Sequence, residues 1–312
     1  MTKYGIYIHI PFCKKKCPYC DFFSQIDGDV EEYVKKLCFI IKKSEKVSVG
    51  TIYFGGGTPS LIDSEYISNI LQSIRETFAV NADAEITIEC NPNSLTREKL
   101  ETYKKIGINR ISIGVQSFKD KTLKILGRIH NVKQAKDAIK LAAKYFDNVS
   151  IDLIHSVPNC KVKLLGKYLN MVQHVSAYCL TSDKFPSVKD KISIKEQTKI
   201  EKKLNKYHFE KYEVSNFAKS GYRCRHNMTY WTCGRWLGFG VSAEGNPEKW
   251  TDSDRIMLGL RLTDGIEEKL LENKKNQVDE LVKLGLLQIK DDRISATRRG
   301  FFVLNQIIIK LT

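Results

Sequence analysis

The chain has 312 residues, 42% of them hydrophobic, enough for a sizeable core and too apolar for a disordered chain. Lys and Arg number 51 against 36 Asp and Glu, a net charge of +15, but the basic residues lie in scattered pairs such as Lys202-Lys203 and Lys274-Lys275. That pattern suits solvated helix faces better than a nucleic-acid stripe, no apolar run reaches the roughly 18 residues of a membrane span, and no signal-peptide pattern is visible, so the expected location is the cytoplasm.

Residues 3–10 have the composition of a strand. Residues 29–44 carry Val30, Tyr33, Val34, Leu37 and Ile41 at the spacing of one helix face. A strand at 49–54 runs into Gly55-Gly56-Gly57. A helix follows at 64–77 with Ser64 as N-cap, then a strand at 85–89 and a helix at 96–106, opened by Thr96 and stopped at Gly107. Strands at 110–114, 149–154 and 174–180 alternate with helices at 132–145 and 163–173. Six strands alternating with helices predict parallel strands with crossover helices, as a barrel or an open sheet. A loop at 181–193 breaks the rhythm before a lysine-rich helix at 194–207. Residues 209–250 are rich in glycine and aromatics, with few regular periods. A helix at 278–284, strands at 286–289 and 294–297 about a turn at 290–293, and a last helix from Arg299 resemble a winged-helix module. That shape alone says little about function.

Nine cysteines are present. Cys38, Cys90, Cys160, Cys179, Cys224 and Cys233 are dispersed and suit small buried positions. Cys13, Cys17 and Cys20 cluster in eight residues just after the first strand. Three thiolates can hold three irons of a 4Fe–4S cluster and leave the fourth open. Zinc is the alternative, but a structural zinc site takes four ligands, and His9 sits within a strand where packing or hydrogen bonding suits it better. Lys14, Lys15 and Lys16 lie inside the cluster loop and suit the docking of an acidic electron donor.

The run Tyr7-Ile-His-Ile-Pro-Phe-Cys13-Lys-Lys-Lys-Cys17-Pro-Tyr-Cys20-Asp-Phe resembles the radical S-adenosylmethionine superfamily, and more narrowly its oxygen-independent coproporphyrinogen oxidase branch. The resemblance extends from Tyr4 to about Ser242 and again over the C-terminal end. It implies an α/β fold, a partial (β/α)6 barrel with a small C-terminal winged-helix-like domain. The implied organisation is a barrel with the cluster at 1–210, a connecting segment at 211–250 and the C-terminal domain at 251–312. It implies a 4Fe–4S cluster on Cys13, Cys17 and Cys20, with S-adenosylmethionine chelating the open iron and yielding a 5′-deoxyadenosyl radical on reduction.

Carried over by position, Gly56, Gly57 and Thr58 meet the methionine amino group, Glu89 pairs with it or with the ribose, and Arg128 clamps the carboxylate. Asp152 suits the ribose hydroxyls, Gln116 ends the fourth strand at the same mouth, and Tyr7 and Tyr19 flank the cluster and adenine. Taken alone, the glycines are weak evidence beyond a tight turn, and Glu89 is as readily a strand-end surface charge as a ligand-binding carboxylate.

That branch contains an oxidase and a haem chaperone. The oxidase usually carries a further cysteine two residues after the third ligand; here the position is Phe22. His226, Asn227, Tyr230 and Trp231 resemble a His-Asn-x-x-Tyr-Trp segment associated with haem, with Arg223 and Arg225 nearby for propionates. The alternative for His226 is a satisfied histidine in an aromatic core. The chaperone side implies haem as a further ligand, a flavodoxin- or ferredoxin-like electron donor and a haem acceptor, which could be membrane-associated. Three segments, 181–187, 241–245 and 245–266, depart from the branch or are shortened. Coproporphyrinogen oxidation, and a zinc protein binding nucleic acid, stand as the other two functions to be weighed.

Overall fold

Strict alternation builds the sheet. In β1 (Tyr4–Ile10) the side chains of Ile6, Ile8 and Ile10 are fully buried on the outer face. The same face carries Ile52 and Phe54 of β2 (Ser48–Gly56), Ile86 and Ile88 of β3 (Ala79–Cys90), and Ile111, Ile113 and Val115 of β4 (Arg110–Gln116). Ile151 and Leu153 of β5 (Val149–His155) and Val175 of β6 (His174–Cys179) complete it. Helices α1 (Val30–Lys42), α2 (Ser64–Thr77), α3 (Arg97–Lys105) and α5 (Val132–Tyr145) cover that face and share its core; α4 (Asp120–Ile125) is a short turn after β4.

The computed structural model describes residues 3–312. β1 to β6 run parallel in sequence order, as crossover helices require. Beyond α6 (Gly166–Leu169) and α7 (Asp190–Asn205), β8 (Asn216–Ala218) adds antiparallel to β6, and β7 (Glu210–Lys211) adds antiparallel to β8 at that edge. β9 (Arg235–Phe239) adds parallel to β1 at the other. The sheet is therefore a partial barrel, and the chain from β8 to β9 spans its gap through α8 (Arg225–Trp231). Cys224 makes no side-chain cap for α8. Glu85 of β3 does so instead, accepting from Arg225 N at 3.1 Å and His226 N at 3.0 Å.

The inward face is polar. Thr51, Tyr53, Thr87, Glu89, Arg110, Ser112, Ser150, Asp152, His174 and Ser176 alternate with the outward apolar residues in the strand register.

A second core gathers Ile256, Leu260, Leu281, Leu287, Ile294, Leu304, Ile307 and Leu311. Its elements are α9 (Asp252–Gly259), β10 (Ile266–Glu267), a 3-10 stretch over Glu268–Lys274, α10 (Lys275–Lys283), β11 (Leu287–Lys290), β12 (Arg293–Ala296), α11 (Arg298–Phe301) and α12 (Leu304–Leu311). Glu201 of α7 joins it to the barrel, accepting from Lys211 at 3.2 Å and Arg298 at 2.9 Å.

Several local expectations change. The helix expected over 163–173 shrinks to one turn, because Leu164 and Leu165 pack on the core as loop and Val162 N donates to Glu196. The N-cap of α2 is Asp63, which accepts from Glu65 N, not Ser64. The irregular region 209–250 contains β7, β8, α8 and β9, elements too short to show a period. Among the described residues no helix is long and apolar enough to cross a membrane.

Candidate cluster and cofactor site

The cysteine loop leaves the C-terminal end of β1 and is clipped at its base. Cys13 N donates to Gln25 O at 2.9 Å, and Gln25 N donates to Pro11 O at 2.8 Å. Cys20 N donates to Cys17 O at 3.1 Å, folding the last two thiols together. His9 is buried beneath, its Nε2 2.9 Å from Phe23 O and its Nδ1 3.1 Å from the Tyr7 hydroxyl. Nε2 ties the loop down and Nδ1 meets Tyr7 of the same strand, so both ring nitrogens are engaged by partners other than the thiols.

Cys13, Cys17 and Cys20 line one small pocket with Tyr19, Thr58, Asn91 and Arg128. Thr58 Oγ1 is 3.4 Å from Cys13 Sγ and accepts from Asn91 Nδ2 at 3.0 Å. Arg128 donates to Cys17 Sγ at 3.7 Å, Tyr19 OH at 3.2 Å, Gly114 O at 3.1 Å and Asn91 Oδ1. Gly127, at φ 69°, sets Arg128 there: a Cβ would stand 2.6 Å from Pro18 Cδ, so glycine lets the two loops close. Lys14, Lys15 and Lys16 are exposed around the pocket.

This pocket opens into a cavity of ≈ 680 Å³ at the mouth of the barrel. Tyr19, Gly56, Gly57, Thr58, Glu89, Gln116, Arg128 and Asp152 all line it, brought together from five strand ends; Tyr7 does not, being held behind Tyr53 and His9. Glu89 accepts from the Tyr53 hydroxyl at 2.7 Å. Burial pushes its carboxyl up to about 7, with nearby Asp152 adding to the shift and the Tyr53 bond opposing it. Burial also raises Asp152, whose two oxygens accept from Ser112 at 3.2 Å.

The residues fit the cofactors that the resemblance implies. Three thiols face one pocket beside a guanidinium whose Nε is buried without a partner. A Cβ on Gly57 would stand 2.7 Å from the Pro11 carbonyl, so the glycine loop is drawn tight against the base of the cysteine loop. The carboxylates and the bare backbone of the mouth suit a ligand carrying an ammonium and hydroxyls.

The His-Asn-x-x-Tyr-Trp segment lies within α8. His226 is buried in the gap-closing helix, with Nδ1 2.8 Å from Thr51 Oγ1 and Nε2 2.7 Å from Tyr230 OH, and its ring stacks on Tyr53 at 5.1 Å. Burial, reinforced by Arg110, lowers its pKa to about 3. The structure thus places it as the satisfied histidine of an aromatic core. Tyr230 packs on Trp236, and Trp231 lies under Arg261. Of the four, Asn227 alone lines the cavity. Arg223 pairs with Asp264, and Arg225 donates to Asp83 O. Phe22 stands 64% exposed at the rim of the cavity, which Tyr178 and Leu180 also line.

Tyr53, Asn91, Arg110, Ser112 and Ser176 line the cavity too, and the motifs do not point to them. The available signal is the alternation Arg110-Ile-Ser-Ile-Gly-Val-Gln116, which sends 110, 112, 114 and 116 to one face.

The family model of the radical SAM superfamily matches residues 7–161, and that of the HemN C-terminal domain matches residues 253–303. The chain is 34% identical to the haem chaperone HemW of Buchnera aphidicola subsp. Schizaphis graminum, over 86% of this chain and 77% of that one. It is 38% identical to the haem chaperone HemW of Escherichia coli, over 77% and 69%. Against HemW of Bacillus subtilis, 28% identical, the alignment runs over 368 positions while this chain has 312 residues, so at least 56 positions face gaps. The solved structure of coproporphyrinogen III oxidase (HemN) from Escherichia coli shares the fold, with a TM-score of 0.81 at 19% identity over 99% of this chain and 90% of that one.

Proposed function

Because the chain belongs to the radical SAM superfamily and, within it, to the family of the HemW haem chaperones, we propose that it binds haem and passes it to an acceptor protein. The observation that carries the choice within the branch is Phe22, an exposed phenyl at the cavity rim where the oxidase has a thiol. Together with Tyr178, a second exposed aromatic lining the cavity, it offers flat apolar surface to a macrocycle in place of a redox-active sulfur.

In this proposal Cys13, Cys17 and Cys20 hold a 4Fe–4S cluster and the cavity beside them takes S-adenosylmethionine. When bound, the pair supplies one-electron, hydrogen-abstracting chemistry. The protein's part is placement. The backbone of Gly56 and Gly57 and the hydroxyl of Thr58 receive the ligand's ammonium. Glu89 adds charge, Asp152 takes ribose hydroxyls, and Gln116 and Tyr19 close the sides. Arg128, braced by Asn91 and Gly114 O, clamps the carboxylate. An acidic flavodoxin- or ferredoxin-like donor docks at Lys14–Lys16, and the protein works in the cytoplasm.

The test against the oxidase uses anaerobically reconstituted protein with S-adenosylmethionine, dithionite and coproporphyrinogen III. The proposal expects no decarboxylated porphyrin; protoporphyrinogen together with 5′-deoxyadenosine would establish the oxidase instead.

A further inference from the structure

Two guanidiniums face the same cavity, each with its Nε buried and unpartnered, and they differ in their remaining contacts. Arg128, at the cluster end, has four partners. Arg110, at the floor, is 2% exposed, lines the cavity, and has its Nε buried with no hydrogen-bond partner. The carboxylates near enough to feel its charge, Glu85, Glu89 and Asp152, make their hydrogen bonds to other groups. Both oxygens of Glu85 cap α8, Glu89 accepts from Tyr53, and Asp152 accepts from Ser112. A guanidinium stays charged at any working pH, and a buried one whose N–H groups lack hydrogen-bond partners is costly even with carboxylates nearby. The amide of Asn227 lines the same cavity and adds a neutral donor.

We propose that Arg110, with Asn227, receives a carboxylate of the tetrapyrrole at the cavity floor, a propionate reaching inward past the Phe22 rim; the proposal rests on the haem-carrier reading. S-adenosylmethionine has one carboxylate, and Arg128 is already built to take it. A second receptor in one cavity calls for a second carboxylate, and a propionate carries its charge on a flexible arm suited to a deep floor. Planar bidentate pairing explains an arginine in place of a lysine.

Haem and its dimethyl ester, which lacks free carboxylates, are titrated into the reconstituted holoprotein by absorbance. Haem should bind about tenfold or more tighter than the ester, the value of one charge-assisted pair. In Arg110→Gln that preference should fall to about twofold, with ester affinity unchanged. Arg110→Lys, which keeps the charge and the fold if the glutamine variant does not fold, should retain part of the preference. Equal binding of haem and ester by the wild type overturns the proposal while leaving haem carriage intact, as does an unchanged preference in Arg110→Gln or an undiminished one in Arg110→Lys. Absence of binding by either tetrapyrrole removes the haem reading, and this proposal with it. S-adenosylmethionine is compared with its decarboxylated analogue in parallel. Arg110→Gln should discriminate between them as the wild type does; loss of that discrimination would assign Arg110 to the methionine carboxylate and overturn the proposal.

Discussion

Glu89 carries the most consequential titration in the cavity. Its folded pKa of about 7 exceeds the ordinary 4.5, because burial disfavours the charge and Asp152 adds to the effect, while the Tyr53 bond and Arg110 oppose it. The folded state therefore holds a proton that the unfolded chain has released. Its contribution to stability is full below about 4.5 and is lost as pH rises through 7, by up to about 3 kcal/mol. Buried Glu213, also pushed up to about 7 by burial, acts in the same direction. The Tm of the cofactor-free protein should fall from pH 6 to pH 8, and less steeply in Glu89→Gln. Identical slopes would contradict the assignment. His226 makes the opposite kind of prediction. With both nitrogens bonded inside the floor, His226→Ala should cost about 2–4 kcal/mol of stability and leave the haem Soret band of the folded fraction in place. A shifted Soret band at an unchanged Tm would make it a ligand after all.

At the scale of elements, the cysteine loop and α8 show what the sequence could convey. Cys13, Cys17 and Cys20 stood out by their spacing, which left cluster and zinc open; the resemblance to the radical SAM superfamily singled out the cluster and the residues of the mouth, most of which line one cavity. The His-Asn-x-x-Tyr-Trp segment was not legible as a floor: its role depends on Thr51 and Glu85, more than 100 residues away, and on β8 and β9, each too short to show alternation. Arg110 escaped notice because a charge opening a strand normally faces solvent. The three exposed lysines of the loop yield a kinetic prediction. Replacing Lys14, Lys15 and Lys16 with serine should slow cluster reduction by an acidic donor several-fold at low salt, and the difference should vanish at high salt. An unchanged rate at low salt rejects docking there.

Over the whole molecule, strand–helix alternation announced parallel strands but not how the sheet ends. β9 on one edge, β8 and β7 on the other, and α8 between β8 and β9 give the partial barrel its closed floor and open mouth. The C-terminal domain is fastened through Glu201, with Lys211 and Arg298 on one carboxylate. Glu201→Gln leaves Lys211 largely buried without its charge partner and should destabilise the protein by about 3 kcal/mol, seen as a lower Tm and faster cleavage near the junction. An unaltered Tm would mean that apolar contacts alone hold the domains together. The central claim, haem carriage on a radical SAM scaffold, is tested most directly by loading the reconstituted protein with haem and following its transfer to an apo-haemoprotein by the change in Soret absorbance. The account predicts a stable complex with about one haem per chain, and release to the acceptor faster than spontaneous dissociation into buffer. Failure to bind haem, or release no faster with the acceptor than without it, would contradict it.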